Sequence, residues 1–126
     1  MTLIVDTPKC LRDQGQCAAR RALLDGPAMR ELRIFVEGVR IAAGDHAVPD
    51  MDPLDGGVDA ECLFLLEAPG PQAVRTGFVS RNNRDETAKN WHELNTAAGI
   101  ARERTLTWNI VPWYRCELTH PTGEGS

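Results

Sequence analysis

The sequence has no long apolar run, and this absence limits the class of protein. No stretch of the 126 residues approaches the roughly 20 consecutive apolar residues that a transmembrane helix needs. The first residues, Met1 to Asp6, are too short and too acidic to resemble a secretory signal peptide. The hydrophobic content of 42% is typical of a soluble globular domain. We therefore expect a single-domain cytoplasmic protein without a membrane partner.

Patterns for metals and cofactors are also missing. Cys10 and Cys17 are separated by six residues rather than the two of a zinc or redox pair, and Cys62 and Cys116 are far from both. The aspartates of "GDHAVPDMDPLDGGVDA" lack the ligand spacing and the closing glutamate of a calcium loop. A glycine-rich phosphate loop with a lysine does not occur. The sequence predicts free thiols, no metal and no cofactor.

The net charge of −4 is unevenly distributed. Residues 1–61 contain 7 basic and 11 acidic side chains, a balance of −4, whereas residues 62–116 contain 7 and 5, a balance of +2. Arg75, Arg81, Arg84 and Lys89 lie close together in this second part. A basic segment is usually a solvated surface, and it is also the kind of surface that binds phosphate.

Apolar spacing predicts two helices. The first twenty residues show no clear period, so they form either a loose arm or a short helix. A helix then starts near Pro27 and ends at Gly44, with its core face formed by Met29, Leu32, Val36, Val39 and Ala43. A second helix is capped by Asn83 or Asp85 and ends at Gly99. Its predicted core face consists of Ala88, Trp91, Leu94 and Ala98.

Two strands flank the second helix, and a loop precedes the first of them. The apolar run from Cys62 to Leu66 predicts a buried strand, and residues 105–111 predict another that Pro112 ends. Strand, helix and strand in this order predict a βαβ unit with two parallel strands. Because ligands of such sheets gather at the carboxyl ends of the strands, we expect Glu67 and Asn109 on one rim.

Three segments together carry a resemblance to a known family. "LFLLEAPGP", "GFVSRNN" and "WNIVPWY", in this order and at these separations, resemble the uracil-DNA glycosylase superfamily, in particular the bacterial branch whose first motif reads Glu-Ala-Pro-Gly. The similarity covers roughly residues 28–114. It implies an α/β protein with part of a three-layer α/β/α fold around the parallel βαβ core. It also divides the chain into an arm at 1–24, the glycosylase-like domain at 25–114 and a divergent tail at 115–126.

The resemblance implies the members of a base-binding site. Glu67, Ala68, Pro69 and Gly70 match the turn that lies against the flipped uracil and the hydrolytic water, with Glu67 as the catalytic residue. Glycine in that turn permits a close approach of the base. The partner would be uracil-containing DNA, whose backbone Arg75, Arg81 and Arg84 would contact, and the chain would be a monomer.

Two further positions match residues that recognise the base. Phe78 corresponds to an aromatic ring that stacks on uracil, and Asn109 to an amide that reads its N3 and O4 edge. Each has a plainer alternative, because Phe78 can be a core aromatic and Asn109 a satisfied turn residue. For Glu67 the alternatives are orienting a water molecule and bracing the loop. His46, His92 and His120 have no companion residues, and we expect surface roles for them.

The sequence also departs from the family. Leu66 stands where many relatives have glycine, and Ala68 where others have the aspartate that orients water. The late His-Pro-Ser motif, whose histidine stabilises the departing uracil, is missing. His120-Pro121-Thr122 resembles it only superficially, so we expect a truncated member. Two functions therefore stay open: a DNA glycosylase, or an inactive remnant that binds the base or a nucleotide. A small phosphate-binding α/β protein is a third.

Overall fold

The computed structural model describes residues 3–115. Cys116 and the His120-Pro121-Thr122 segment lie outside the described residues. Four helices and four strands follow one another as α1 Gln14–Ala22, α2 Arg30–Ala43, β1 Asp50–Met51, β2 Cys62–Leu66, α3 Pro71–Thr76, β3 Phe78–Val79, α4 Glu86–Ala97 and β4 Thr105–Asn109. Short 3₁₀ turns connect several of them. None of the described helices is both long and apolar enough to cross a membrane.

The strands form two small parallel pairs, so the described part belongs to the general α/β class. β2 pairs with β4 in a register that sets Leu65 beside Trp108 and Leu66 beside Asn109. β1 pairs with β3. The parallel pairing of the two long strands confirms the predicted arrangement. The chain between them is more complex than one helix, because it also contains α3 and β3.

The helix predicted after Pro27 is confirmed. A 3₁₀ turn at Pro27–Met29 leads into α2, and Gly44 follows its last residue with a φ of 66°. The positive φ of Gly44, which glycine adopts without strain, explains why this helix stops there. Met29, Val36 and Ala43 are buried in a core that also contains Leu11, Leu24, Val48, Met51, Phe78, Val79 and Trp108.

The first residues are packed into this core. Of the two predicted alternatives for this segment, the structure shows a short helix, α1, rather than a loose arm. Leu11 and Arg20 are fully buried, because Leu11 joins the hydrophobic core and the Arg20 guanidinium bonds to Asp52 and Asn82. Residues 10–24 therefore belong to the same packed unit as the rest of the described chain.

The prediction that β2 is buried was wrong. Leu63 and Leu65 are 55% and 54% exposed, because β2 pairs only with β4 within the described chain and one of its faces has no helix over it. The other face of β2 packs on α4, where the Phe64 and Trp91 rings meet edge to face at 4.8 Å. Apolar character thus predicted the strand but not the partner that would bury it.

The core face predicted for α4 was also partly wrong. Asp85 caps α4 by accepting from the Ala88 N–H, and Ala88 is buried, as expected. Leu94, however, is 65% exposed and Ala98 is exposed too. Asn95 is the buried residue of the last turns, and its amide donates to the Trp91 carbonyl. The face of α4 that lies against the rest of the described chain therefore contains Ala88, His92 and Asn95 rather than Leu94 and Ala98.

The segment predicted as a loop before β2 contains ordered structure. Besides β1, it holds a 3₁₀ turn at Gly57–Asp59 that packs against neighbouring backbone. A Cβ atom on Gly56 would lie 2.0 Å from the Glu103 carbonyl oxygen, and Gly57 has a φ of 59°. The two glycines are required because one has no space for a side chain and the other has a left-handed conformation.

Candidate functional site

A cavity of about 480 Å³ opens at the carboxyl ends of β2 and β4. This is within the usual size of small-molecule sites, roughly 300–1,000 Å³. Its walls come from the end of β2, the turn that follows, the segment after β3, the first half of α4 and the end of β4. The lining residues include Leu66, Ala68, Pro69, Gly70, Ser80, Arg81, Asn83, Asp85, Ala88, Trp91, Thr107 and Asn109.

The turn after β2 is fixed to the end of β4 by backbone hydrogen bonds. The Ile110 N–H donates to the Leu66 carbonyl at 2.8 Å, and the Val111 N–H donates to the Glu67 carbonyl at 3.0 Å. Ala68, Pro69 and Gly70 then line the cavity together with Asn109. The structure therefore brings together four of the residues predicted for the site.

Glu67 does not belong to the cavity wall. Its side chain is exposed, while its backbone carbonyl accepts the bond from Val111. Of the two predicted alternatives, this position favours bracing of the turn over orientation of a water molecule, and the bracing comes from the backbone. The carboxylate that does line the cavity is Asp85, which the sequence had suggested only as a helix cap.

Unpaired N–H groups cluster around the cavity. Five buried side-chain atoms have no hydrogen-bond partner among the described residues, and three of them, Arg81 Nε, Trp91 Nε1 and Asn109 Nδ2, belong to residues that line the cavity. All three atoms are donors. A buried donor left unpaired costs about 1–3 kcal/mol, so an acceptor that reached any of these three buried atoms would relieve that cost.

Phe78 lies away from the cavity. It is fully buried within the hydrophobic core, and the Arg21 guanidinium covers its ring at 4.9 Å from the centroid. This arrangement corresponds to the plainer alternative, a core aromatic. The aromatic side chain of the cavity wall is Trp91, which the sequence placed on a core face. Its amphipathic indole was the available signal, because a tryptophan rarely occupies a core without a partner for its N–H.

The three arginines predicted to contact DNA differ in exposure. Arg84 is exposed, and Arg75 is exposed but bonded to Gln72 and the Leu11 carbonyl. Arg81 is only 6% exposed and donates to the Thr105 hydroxyl, so a backbone phosphate cannot reach it in this conformation. Burial and the nearby Arg102 guanidinium lower the pKa of Arg81. Arg81 therefore lies in the cavity wall, and its contact with DNA stays a prediction.

A buried charge cluster lies behind the wall, and no pattern in the sequence predicts it. Asp52 is fully buried, and one of its oxygens accepts from Arg20 at 2.8 Å, from Arg102 at 2.7 Å and from the Ser80 hydroxyl. Asn82 bonds to both guanidinium groups as well. Because Ser80 and Asn82 flank Arg81, this cluster fixes the backbone of the "SRNN" segment.

Two further carboxylates complete the charge cluster. Arg102 bonds to Asp55 through Nε and to Asp6 through Nη1, both at 2.7 Å. Burial raises the pKa of Asp55 to about 6, although Arg102 opposes the shift. Burial also acts on Asp6, but there Arg102 and Asn82 outweigh it and lower the pKa. Loss of solvation on burial is the main cause of the Asp55 shift, and the neighbouring Asp52 carboxylate adds to it.

The remaining predicted residues take no part in the cavity. His92 bonds to Asp6 through Nε2, and its side chain is 15% exposed, so it links α4 to the charge cluster rather than facing solvent. His46 stacks on Trp113. Cys10, Cys17 and Cys62 are free thiols. Within residues 3–115, no three His, Cys, Asp or Glu side chains are grouped so that they could hold a metal ion.

The chain was compared with family models, curated proteins and solved structures, and none of them matches it. Function must therefore be argued from the cavity and from the sequence motifs.

Proposed function

We propose that the protein is a uracil-DNA glycosylase-like protein whose cavity receives a uracil base flipped out of DNA. In this proposal the described chain corresponds to part of the three-layer α/β/α fold of that superfamily. The observation that carries the proposal is the unpaired Asn109 amide N–H₂ in the wall of a cavity that the neighbouring Ala68-Pro69-Gly70 turn also lines. Both features come from motifs that resemble the superfamily.

The chemistry of the wall fits uracil better than cytosine. Uracil presents carbonyl oxygens at O2 and O4, and its N3 carries a proton. An amide can donate from Nδ2 to O4 and accept from N3–H through Oδ1. Cytosine has an amino group where uracil has O4, so it would oppose a donor with a donor. Trp91 supplies an aromatic surface for the flat base in place of Phe78.

The proposed reaction is hydrolysis of the N-glycosidic bond, which leaves an abasic site in DNA. Water would attack C1′, the bond to N1 would break, and the base would leave with the electron pair. The proton lost by the water would then complete the released uracil. Backbone N–H groups of the turn would stabilise the charge on the leaving base. The position of Glu67 outside the cavity wall favours a second candidate, a module that binds the base without hydrolysing the bond.

The experiment uses a labelled single-stranded oligonucleotide that carries one uracil. Binding is measured by fluorescence anisotropy against the same oligonucleotide with cytosine. Strand scission after alkali treatment then reports abasic sites. A matched thymine oligonucleotide tests how far the cavity admits a C5 methyl group.

The outcomes separate the candidates. Selective binding followed by scission supports the glycosylase. Selective binding without scission supports the binding module. Equal binding of uracil and cytosine by a chain with a folded circular dichroism spectrum contradicts both.

A further inference from the structure

Helix α2 has a second apolar face that points away from the core. Ile34 is 66% exposed and Ile41 is 84% exposed, although both are large aliphatic residues. Phe35 beside them is 51% exposed. A scattered exposed apolar residue needs no explanation, but a contiguous group of them usually marks an interaction surface.

Helical geometry places these residues together. Ile34 and Ile41 are seven residues apart, and Gly38 lies between them on the same side of the helix. A Cβ atom on Gly38 would meet nothing within 4 Å, so the face is open at its centre. Glycine inside a helix costs about 1 kcal/mol relative to alanine, and a closely packed second helix would offset that cost.

The apolar surface continues onto the sheet. The Phe35 ring contacts Trp108 on β4 edge to face, with centroids 6.1 Å apart. Leu65 is the register partner of Trp108, and it shares its exposed face with Leu63. The cavity lies on the opposite face of this sheet, where Leu66 and Asn109 point. A partner on the apolar surface would therefore leave the cavity open.

Charges at the two ends of α2 indicate which partner fits. Arg30 begins the helix and Asp45 lies just beyond its end, and both are exposed. Within the described part of the chain, neither forms an ion pair. The helix between them, Arg30–Ala43, is about 20 Å long at 1.5 Å per residue. Opposite charges at opposite ends are complementary to the same helix in the reverse direction.

We propose that this face joins two copies of the chain through antiparallel packing of α2 on its symmetry mate. Gly38 lies at the centre of the contact, and Ile34 and Ile41 pack on either side of it. Each Arg30 then meets the Asp45 of the other copy, and the two-fold symmetry repeats this contact, which gives two ion pairs. This replaces the monomer that the sequence led us to expect, and it does not depend on what the cavity binds.

Sedimentation equilibrium of the full chain tests the proposal across micromolar to millimolar concentrations. We expect a monomer–dimer equilibrium. Ile41→Glu should raise the dimer Kd at least about tenfold, because it buries a charge in an apolar contact. Leu94→Glu, at an exposed leucine of α4, is the matched control and should leave the Kd unchanged. Circular dichroism confirms that each variant folds.

Charge reversal tests the antiparallel arrangement itself. Arg30→Asp and Asp45→Arg should each weaken the dimer, because each opposes like charges, and the double variant should restore it. A chain that stays monomeric at every concentration overturns the proposal. A dimer whose Kd is unaffected by Ile41→Glu also overturns it. So does a double variant that dimerises as weakly as Arg30→Asp and Asp45→Arg do singly.

Discussion

At Asn109 the chain buries a side-chain amide without giving its N–H₂ group a partner among the described residues. Such a position could be predicted from sequence, because a polar residue between Trp108 and Ile110 at a strand end stands out against its neighbours. Phe78 could not be assigned in the same way. The sequence does not tell a phenylalanine in a hydrophobic core from one that stacks on a base. Only the packing of Phe78, with Arg21 over its ring, distinguishes the two.

Gly70 offers a test that separates binding from folding. Its backbone is extended, with φ −96°, and a Cβ atom there would meet nothing within 4 Å. Gly70→Ala should therefore change the free energy of unfolding by less than about 0.5 kcal/mol. If the base lies against this turn, the added methyl group should weaken uracil binding about tenfold or more.

The matched control for this substitution is Gly38→Ala, a glycine with equally open surroundings on α2. It should leave uracil binding unchanged. Full affinity in Gly70→Ala, measured by anisotropy with the uracil oligonucleotide, would show that the base does not approach the turn.

Asp55 makes a prediction about pH. Its pKa in the folded chain is about 6, above the ordinary 3.8, so the folded chain takes up a proton before the unfolded chain does. The free energy of unfolding should rise by on the order of 1 kcal/mol as the pH falls from about 7 to about 5. Asp55→Asn should remove this rise, because asparagine cannot titrate.

Urea unfolding at several pH values measures the effect. Asp59→Asn, at an exposed aspartate of the same segment, is the control and should keep the rise. An equal pH slope in Asp55→Asn and the unaltered chain would show that Asp55 is not the group responsible.

At the scale of elements, periodicity predicted more than composition did. The end of α2 and the bounds of β2 followed from apolar spacing and from glycine positions, whereas the residues from Pro27 to Met29 form a 3₁₀ turn before α2. The burial of β2 could not be predicted, because the amino-acid pattern of an apolar strand is the same whether or not a helix covers it. The packing of α1 was also invisible, since its anchor is the charged residue Arg20 rather than an apolar face.

Arg20 should therefore determine whether α1 stays docked. Arg20→Ala would leave Asp52 buried without one of its two guanidinium partners, which should cost about 3–5 kcal/mol of unfolding free energy. Arg12→Ala, at an exposed arginine just before α1, should cost less than about 0.5 kcal/mol. Denaturant titration followed by circular dichroism compares the two. Equal stability of both variants would contradict the anchoring role of Arg20.

At the scale of the whole molecule, the sequence predicted the parallel pairing but not the buried charge cluster. Asp6, Asp52, Asp55 and Arg102 are separated by up to 96 residues, and no local pattern links them. These contacts connect the N-terminal segment, the loop before β2 and the turn before β4 behind one wall of the cavity. The motifs that resemble a glycosylase therefore account for the turn and Asn109, whereas the support of the wall becomes visible only in three dimensions.

The most direct test of the central claim is the ratio of affinities for uracil and cytosine oligonucleotides, measured by anisotropy before and after Asn109→Asp. The unaltered chain should prefer uracil about tenfold or more, which is within the range of one bidentate amide contact. Asn109→Asp should lose most of this preference, because a carboxylate cannot donate to O4, while Asn90→Asp on the exposed side of α4 should keep it. An unchanged preference in Asn109→Asp would contradict the account.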